Sequence, residues 1–193
     1  SSELGLATSW RRLAAASTGR ELHEQLTRTP WGRMADDSAR ATGIALRCRL
    51  LNRARSTIPG AEPWAAGGAA LIVAREQLLT GRQVPAQTRR ALVQLLGDRA
   101  LEADSLAAFR EQLDATAAWV LAGIDKPTDL WQAESRWWAR VEHDGRAALR
   151  QRFGPEPMVG AAAVMATDAW RVRGALELAA RGGRGREEFD ALA

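Results

Sequence analysis

The sequence contains few of the residues on which a β-sheet or a cross-linked scaffold depends. Valine and isoleucine together number 12 of 193 residues and tyrosine is absent, so a sheet would lack the β-branched and aromatic side chains that it favours. The single cysteine, Cys48, cannot form an internal disulfide or a thiolate metal site, and only His23 and His143 remain as imidazoles. These absences exclude disulfide-rich domains and zinc fingers, and they predict an all-α fold without a metal or cofactor.

Lysine and long apolar runs are also scarce. The chain has 26 arginines but one lysine, Lys126, which lies in the segment IDKPTD, so there is no glycine-rich phosphate loop with its Lys-Ser/Thr pair. The longest uncharged stretch, from Pro63 to Ala74, has 12 residues, whereas a helix needs about 20 to cross a bilayer. We expect no membrane span, and a cytoplasmic protein that meets a membrane only through a partner.

Helix caps and breakers divide the chain into a bundle of about seven helices. The second of them begins at Ser17 or Thr18, with Glu21 near its third position, and a longer one begins after Asp36-Asp37-Ser38. The pattern predicts helices over 7–16, 18–28, 39–57, 64–80, 86–96, 106–124, 130–152 and 159–181.

Two predicted helices carry a regular apolar face. Ala39, Leu46, Leu50 and Ala54 share one face of the helix over 39–57. The segment 106–124 has the clearest amphipathic pattern, since apolar residues recur at steps of three and four. We expect this second set to point inward; its members are Leu106, Phe109, Leu113, Ala117, Val120 and Ile124.

Two stretches read alike when they are placed 94 residues apart. Residues 39–64 and 133–158 are each an arginine-bearing helix that ends in GAEPW or GPEPM, and each leads into a helix rich in alanine and glycine. A duplication would make the fold two related modules, 1–98 and 99–193, within one compact unit. Coincidence between two proline-terminated helices in an alanine-rich chain is the alternative.

Few groupings of residues are suited to catalysis. His23 with Glu24, and Glu142-His143-Asp144, are the only places where imidazole and carboxylate groups adjoin, and neither has a second histidine at a helical step. Arg47 and Arg49 flank Cys48 and would lower the pKa of its thiol, but no histidine is near it in sequence. We interpret these residues as solvated surface and a plain helix-face cysteine, and we expect no enzyme.

The positive charge of the chain is concentrated in its first third. Residues 1–60 have a net charge of +5 and residues 61–193 a net charge of −1, and five arginines lie between Ser38 and Ala61, at 40, 47, 49, 53 and 55. Such a run can contact phosphates, and RGGRGR at 181–186 resembles an RNA-binding repeat in miniature. Helical geometry distributes the five arginines over two flanks, however, so we do not expect nucleic acid to be the main partner.

Eight tryptophans are the most unusual feature of the composition. Trp137 and Trp138 are adjacent on one predicted helix and therefore lie 100° apart, so they cannot both face the same core. Tryptophan and arginine concentrate binding energy at protein interfaces. The candidate partner-interface residues are Trp137, Trp138, Trp170, Arg171 and Arg173, and we expect at least one of the three indoles to be substantially exposed.

Three segments carry a family resemblance. Residues 6–32 read LATSWRRLAAASTGRELHEQLTRTPWG, residues 63–76 read PWAAGGAALIVARE, and residues 129–183 contain DLWQAESRWWARVEHD and GAAAVMATDAWRVRGALELAARGG. The first is similar to a helix–helix–L..TPYG element, with Trp31 where tyrosine is usual, and the last to a module in which an alanine-rich helix precedes a glycine turn. Together they resemble the C-type stalk protein of the V/A-type ATPases, known as the d-type in the vacuolar enzymes, in a divergent form from a GC-rich bacterium.

This resemblance implies a fold and a function. Members of the family are pseudo-repeated helical modules that form a funnel, a socket of the central stalk that seats the rotary shaft on the membrane ring of these proton-transporting enzymes. The expected function is thus that of a non-enzymatic coupling or scaffold subunit with other protein subunits as partners. The alternatives are a stand-alone helical adaptor and a weak nucleic-acid-binding module that uses the basic first third.

Overall fold

The computed structural model describes residues 12–29, 32 and 38–180. Every regular element in these ranges is a helix, which confirms the predicted all-α class, and the chain is divided more finely than the seven helices expected. The α-helices are α1 (Gly19–Thr27), α2 (Ala39–Thr57), α3 (Glu62–Val73), α4 (Ala86–Leu96), α5 (Asp98–Leu101), α6 (Leu106–Gln112), α7 (Ala115–Ala118), α8 (Leu130–Leu149) and α9 (Glu156–Ala180). Most of the predicted helix over 7–16 and the segment RGGRGR lie outside the described residues.

The predicted helix starts are correct at α1 and α2. Thr18 is the N-cap of α1, and its hydroxyl accepts a hydrogen bond from the amide of Glu21. Ser38 caps α2 in the same way, since its side chain accepts from the amide of Ala41. Each cap satisfies one of the backbone donors that the first turn of a helix leaves without a partner.

Helix α3 is the centre of the core. It packs against α2, α4, α7 and α8, and nearly all of its small side chains are buried, among them Ala65, Ala69 and Ala70. A side chain at Gly67 would meet the Trp119 indole at 2.9 Å and the Trp137 indole at 3.1 Å. Small residues in α3 therefore make the space that two indoles occupy. The helix continues as a π-helical turn, Ala74–Leu79.

The amphipathic segment 106–124 has the predicted inward face but not the predicted single helix. All six apolar residues of that face are buried. The helix ends at Leu113, whose ψ of 137° is extended, and Asp114 starts a new helix by accepting hydrogen bonds from the amides of Thr116 and Ala117. The chain then passes into a 3₁₀ turn, Trp119–Leu121. An aspartate cap here competes successfully with continuation of the helix.

The apolar face chosen for α2 is not its buried face. Leu50 is 55% exposed, and the buried side of the helix consists of smaller residues, namely Ala41, Thr42, Ile44, Ala45 and Cys48. These residues face α3 and α4, which present mostly small side chains of their own. Leu50 instead lies at the edge of a cleft described below.

Helices α8 and α9 approach each other closely at a pair of glycines. A methyl group added at Gly160 would lie 2.5 Å from the carbonyl oxygen of Gly145 and 2.9 Å from the amide nitrogen of Leu149. Both helices therefore need glycine at this crossing, because each backbone contacts the other directly. The long contact between α8 and α9 starts from this point.

The two bends that suggested a duplication are locally alike. Gly60 and Gly154 both have positive φ, at 78° and 91°, and Pro63 and Pro157 both follow in the first turn of a helix. The main hydrophobic core includes residues from both sides of the 98/99 boundary, such as Leu92 and Phe109. The duplication, the two modules and the funnel shape stay predictions. Within residues 12–29 and 38–180, no helix combines the length and the apolar character that crossing a membrane requires.

Replacing Gly160 with alanine tests the α8–α9 crossing. The added methyl group collides with backbone atoms of α8, which can move only if the helices separate, so we expect a loss of about 1–3 kcal/mol in the free energy of unfolding. Gly43→Ala in α2 is the matched control, because nothing lies within 4 Å of its added methyl group. It should stabilise the protein by about 0.5–1 kcal/mol. Urea denaturation measures both, and equal effects of the two substitutions would contradict the crossing.

Candidate protein-binding cleft

Side chains from α2, α8, α9 and the end of α3 enclose two adjoining cavities. Their volumes are about 330 Å³ and 300 Å³, and their walls share Arg47, Arg75, Glu134 and Arg173. Trp170 borders the first cavity and Trp138 the second. We call the combined space the Trp–Arg cleft.

The predicted tryptophans adjoin each other at this cleft. Trp137 packs against the main core, and its indole N–H donates to the backbone carbonyl of Trp64 at 2.8 Å. Trp138 meets Trp137 edge-on at 4.7 Å and stacks on Trp170 of α9 at 5.5 Å, with the ring planes 22° apart. The indole N–H of Trp170 donates to Glu134 at 3.2 Å. As predicted, Trp137 and Trp138 face different surroundings.

None of the three indoles is largely exposed. Trp137, Trp138 and Trp170 are each partly buried, so the expectation of a substantially exposed tryptophan is not met. The physical reason is mutual cover, since Trp138 and Trp170 stack across the α8–α9 contact and each hides one ring face of the other. What remains accessible are their edges at the cleft wall.

The two candidate arginines of α9 have different roles. Arg171 forms two hydrogen bonds with the carboxylate of Glu142 on α8, at 2.6 Å and 3.2 Å, and that carboxylate is only 12% exposed and also binds Arg146. Arg171 therefore holds α9 to α8. Arg173 has a 60% exposed side chain and reaches Glu177 at 3.9 Å. Of the pair, Arg173 is better placed to bind a partner.

Two further arginines of the cleft were not among the sequence candidates. Arg75 lies in the π-helical turn after α3, where it pairs with Glu134 at 2.9 Å. Arg47 is exposed on α2, and no side-chain hydrogen bond or ion pair joins it to a described residue. The first cavity has four arginines and two glutamates in its wall, including Arg171 and Glu177. The cleft thus has an excess of positive charge.

The second cavity has a mainly apolar floor. Its walls include Leu51 of α2, Leu71 and Ile72 of α3 and Leu130 of α8, while Leu50 stands at the rim. Neighbouring hydrophobic side chains in such a cleft bind apolar groups by removing them from water. Sequence periodicity did not find this floor because its residues come from three helices and share no single pattern. The only signal was Leu50, an apolar residue on a face that the core does not use.

The groupings considered for catalysis serve packing. Burial raises the pKa of the Cys48 thiol to about 12, against the weaker lowering effect of Arg47, so this cysteine stays a neutral thiol. Glu142 pairs with Arg171, Asp144 accepts from the indole N–H of Trp64 at 2.8 Å, and His143 between them is exposed. In the part of the chain that the structure describes, no three His, Cys, Asp or Glu residues come together as a metal site.

The run of five arginines on α2 is divided among separate contacts. Arg40 pairs with Glu76 and also donates to the carbonyl of Gln83, and Arg55 donates to the carbonyl of Gln94 at 2.7 Å. Arg47 borders the cleft. These three cations therefore do not form one phosphate-binding row.

Comparison with known proteins gives no match: no family model matches the sequence, and neither a curated protein nor a solved structure matches it. The function is therefore argued from the cleft.

Acid titration tests the Glu142–Arg171 contact. Hydrogen bonds from Arg171 and then Arg146 lower the pKa of Glu142 from 4.5 to about 2. Because the folded protein binds this proton less tightly than the unfolded chain does, the ionised carboxylate stabilises the fold above about pH 4.5, and the contribution is lost as the pH falls through about 2. The wild type should therefore be more stable than Glu142→Gln at neutral pH, with a difference that shrinks between pH 4.5 and 2.

The control is Glu111→Gln, which removes an exposed carboxylate on α6. Denaturant unfolding at a series of pH values measures both variants. A stability difference for Glu142→Gln that does not depend on pH in this window would contradict the role assigned to the ion pair.

Proposed function

We propose that this chain is a non-enzymatic helical coupling or scaffold subunit that holds a helical protein partner in the Trp–Arg cleft. The observation that carries the proposal is the cleft itself, in which the edges of Trp138 and Trp170 adjoin an apolar floor and the exposed cation of Arg47. The same kind of work, seating a rotary shaft, is done by the C-type stalk protein of the V/A-type ATPases, which the sequence resembles.

The chemistry of the cleft defines the partner. Tryptophan and arginine supply a large share of binding energy where a pocket around them excludes water. Each cavity, at about 300 Å³, accepts large apolar side chains, and the excess arginines favour carboxylates beside them. The partner that fits is an amphipathic helix with an apolar stripe and glutamate or aspartate along one edge.

The cleft is held in place before any partner binds. Trp137 is fixed by its hydrogen bond to the Trp64 carbonyl, and Glu134 is fixed between Arg75 and Trp170. Arg171 and Glu142 join the two helices that carry the stacked indoles. A binding site whose side chains are already ordered loses less conformational entropy on association.

Within a rotary ATPase, the partner would be the shaft, and the chain would meet the membrane only through the ring proteins. As a stand-alone adaptor, the chain would use the same cleft for another acidic helix. Both forms of the proposal predict that the cleft binds protein, and they differ in the partner.

Substitutions at the cleft rim test the proposal. Arg47→Glu reverses an exposed charge, and Trp138→Ala removes one wall of the apolar floor. The probes are the purified shaft proteins of a V/A-type ATPase and a synthetic amphipathic helix with glutamates beside a leucine stripe. We expect calorimetry to find binding of at least one probe, and each substitution to weaken it at least tenfold, about 1.4 kcal/mol.

Arg90→Glu is the matched control, because it makes the same charge change at an exposed arginine on α4. Its affinity should equal that of the wild type, and the melting temperature of Arg47→Glu should be unchanged. The proposal is wrong if neither probe binds, or if Arg47→Glu and Arg90→Glu weaken binding equally, since net charge alone would then explain the effect.

The nucleic-acid alternative has its own test. A chain with scattered arginines should bind an oligonucleotide weakly, and the affinity should fall steeply as salt rises because each neutralised phosphate releases counterions. Fluorescence anisotropy with labelled DNA and RNA at several salt concentrations measures this. Submicromolar binding to a defined oligonucleotide at physiological salt would overturn the scaffold proposal.

A further inference from the structure

The outer face of α9 is an exposed apolar stripe. Met158 is 78% exposed, Met165 71%, Val172 59% and Leu176 66%, and small residues at intermediate positions complete the row. Its members are Met158, Ala162, Met165, Ala169, Val172, Leu176 and Ala179, all exposed. Seven apolar residues on one unpartnered face are more than a surface of scattered hydrophobic side chains contains.

The stripe is distinct from the face that packs on α8. Gly160, Thr167 and Gly174 follow one another at seven-residue steps on the opposite side of α9, where the first two are buried. At 100° per residue this packed face lies about 180° from the stripe. Helix α9 therefore presents one apolar side to α8 and a second one outward.

The spacing of the stripe is that of a coiled coil. Its residues recur at steps of four and three through about three heptads, and at a rise of about 1.5 Å per residue they cover roughly 32 Å of helix. Alternation in this form keeps the seam facing one partner helix along its whole length. The occupant is therefore another helix of similar length.

Charges beside the stripe indicate which helix. Asp168 immediately precedes Ala169 on one flank, and Arg173 immediately follows Val172 on the other. In a parallel, in-register pair of identical helices, a flanking residue faces the residue five positions later in the second helix. Asp168 of each copy then meets Arg173 of the other. The other flanking positions are Val159 and alanines, at 161, 166, 175 and 180.

An antiparallel pair would place these charges differently. It brings like flanks together, so that aspartate faces aspartate or arginine faces arginine. The present contacts of both residues are weak, since Asp168 lies 3.7 Å from Arg171 and Arg173 lies 3.9 Å from Glu177, and both side chains are more than half exposed. Both are therefore able to turn toward a second copy.

We infer that two copies of this chain associate through α9 as a parallel two-stranded coiled coil. The inference does not depend on the proposed function, because the seam lies away from the floor of the Trp–Arg cleft. Since α8 packs on the far side of α9, the rest of each copy lies outside the seam. Such a dimer carries two clefts.

Sedimentation and light scattering test the association. The wild-type chain should have twice its 21.0 kDa mass, and Met165→Lys with Leu176→Lys should give a monomer with an unchanged melting temperature, because both side chains are already exposed in the single copy. Leu79→Lys, at an exposed leucine away from α9, should leave the dimer intact. A monomeric wild type, or a dimer that survives the two lysines, overturns the inference.

Charge exchange and cross-linking test the parallel arrangement. Asp168→Arg or Arg173→Asp should each weaken dimerisation at least tenfold, and the double exchange should restore it. Cys48 is buried, so an added Ala162→Cys is the only accessible thiol, and it should form a disulfide between copies on oxidation. An antiparallel pair places residue 162 far from its equivalent, so a dimer without this disulfide overturns the parallel arrangement.

Discussion

The structure depends on the close approach of two indoles to the glycines of α3. Gly67 and Gly68 leave a notch in which Trp119 and Trp137 lie against the helix backbone, where any side chain would collide with them. The hydrogen bond from Trp137 to the Trp64 carbonyl fixes the rotation of α8 about its own axis. Once Trp137 is seated, the adjacent Trp138 must point about 100° away, which is toward α9. The position of the cleft follows from that rotation.

The attachment of α9 is a second consequence of α8. One side of α8 is used by α3, and the glycine pair Gly145 and Gly160 lets α9 lie against another side at backbone distance. The Glu142–Arg171 pair and the Trp138–Trp170 stack add directional contacts along the same boundary. Because α9 has α8 as its main support, its opposite face remains exposed, and the apolar residues there are not explained by the packing of a single copy.

Sequence reasoning succeeded where one helix decides the outcome. Scarcity of β-branched residues predicted the helical class, Thr18 and Ser38 predicted helix starts, and the adjacency of Trp137 and Trp138 predicted their divergence. It failed where the outcome depends on neighbours. The break at Asp114 is a competition between a cap and a continuing helix, and the π-helical turn that places Arg75 has no residue pattern of its own. Leu50 was assigned to a core face because periodicity identifies an apolar side but not what lies opposite it.

Arg173 connects the two surfaces of α9 and limits how they act together. It borders both cavities of the cleft and also flanks the outer stripe. If Arg173 pairs with Asp168 of a second copy, its charge is neutralised and no longer attracts an acidic partner. Arg47 then remains as the exposed cation of the cleft, since Arg75 and Arg171 already bind Glu134 and Glu142. Association of two copies and binding of an acidic helix would therefore oppose each other through this one arginine, and the opposition would weaken as salt screens the charges.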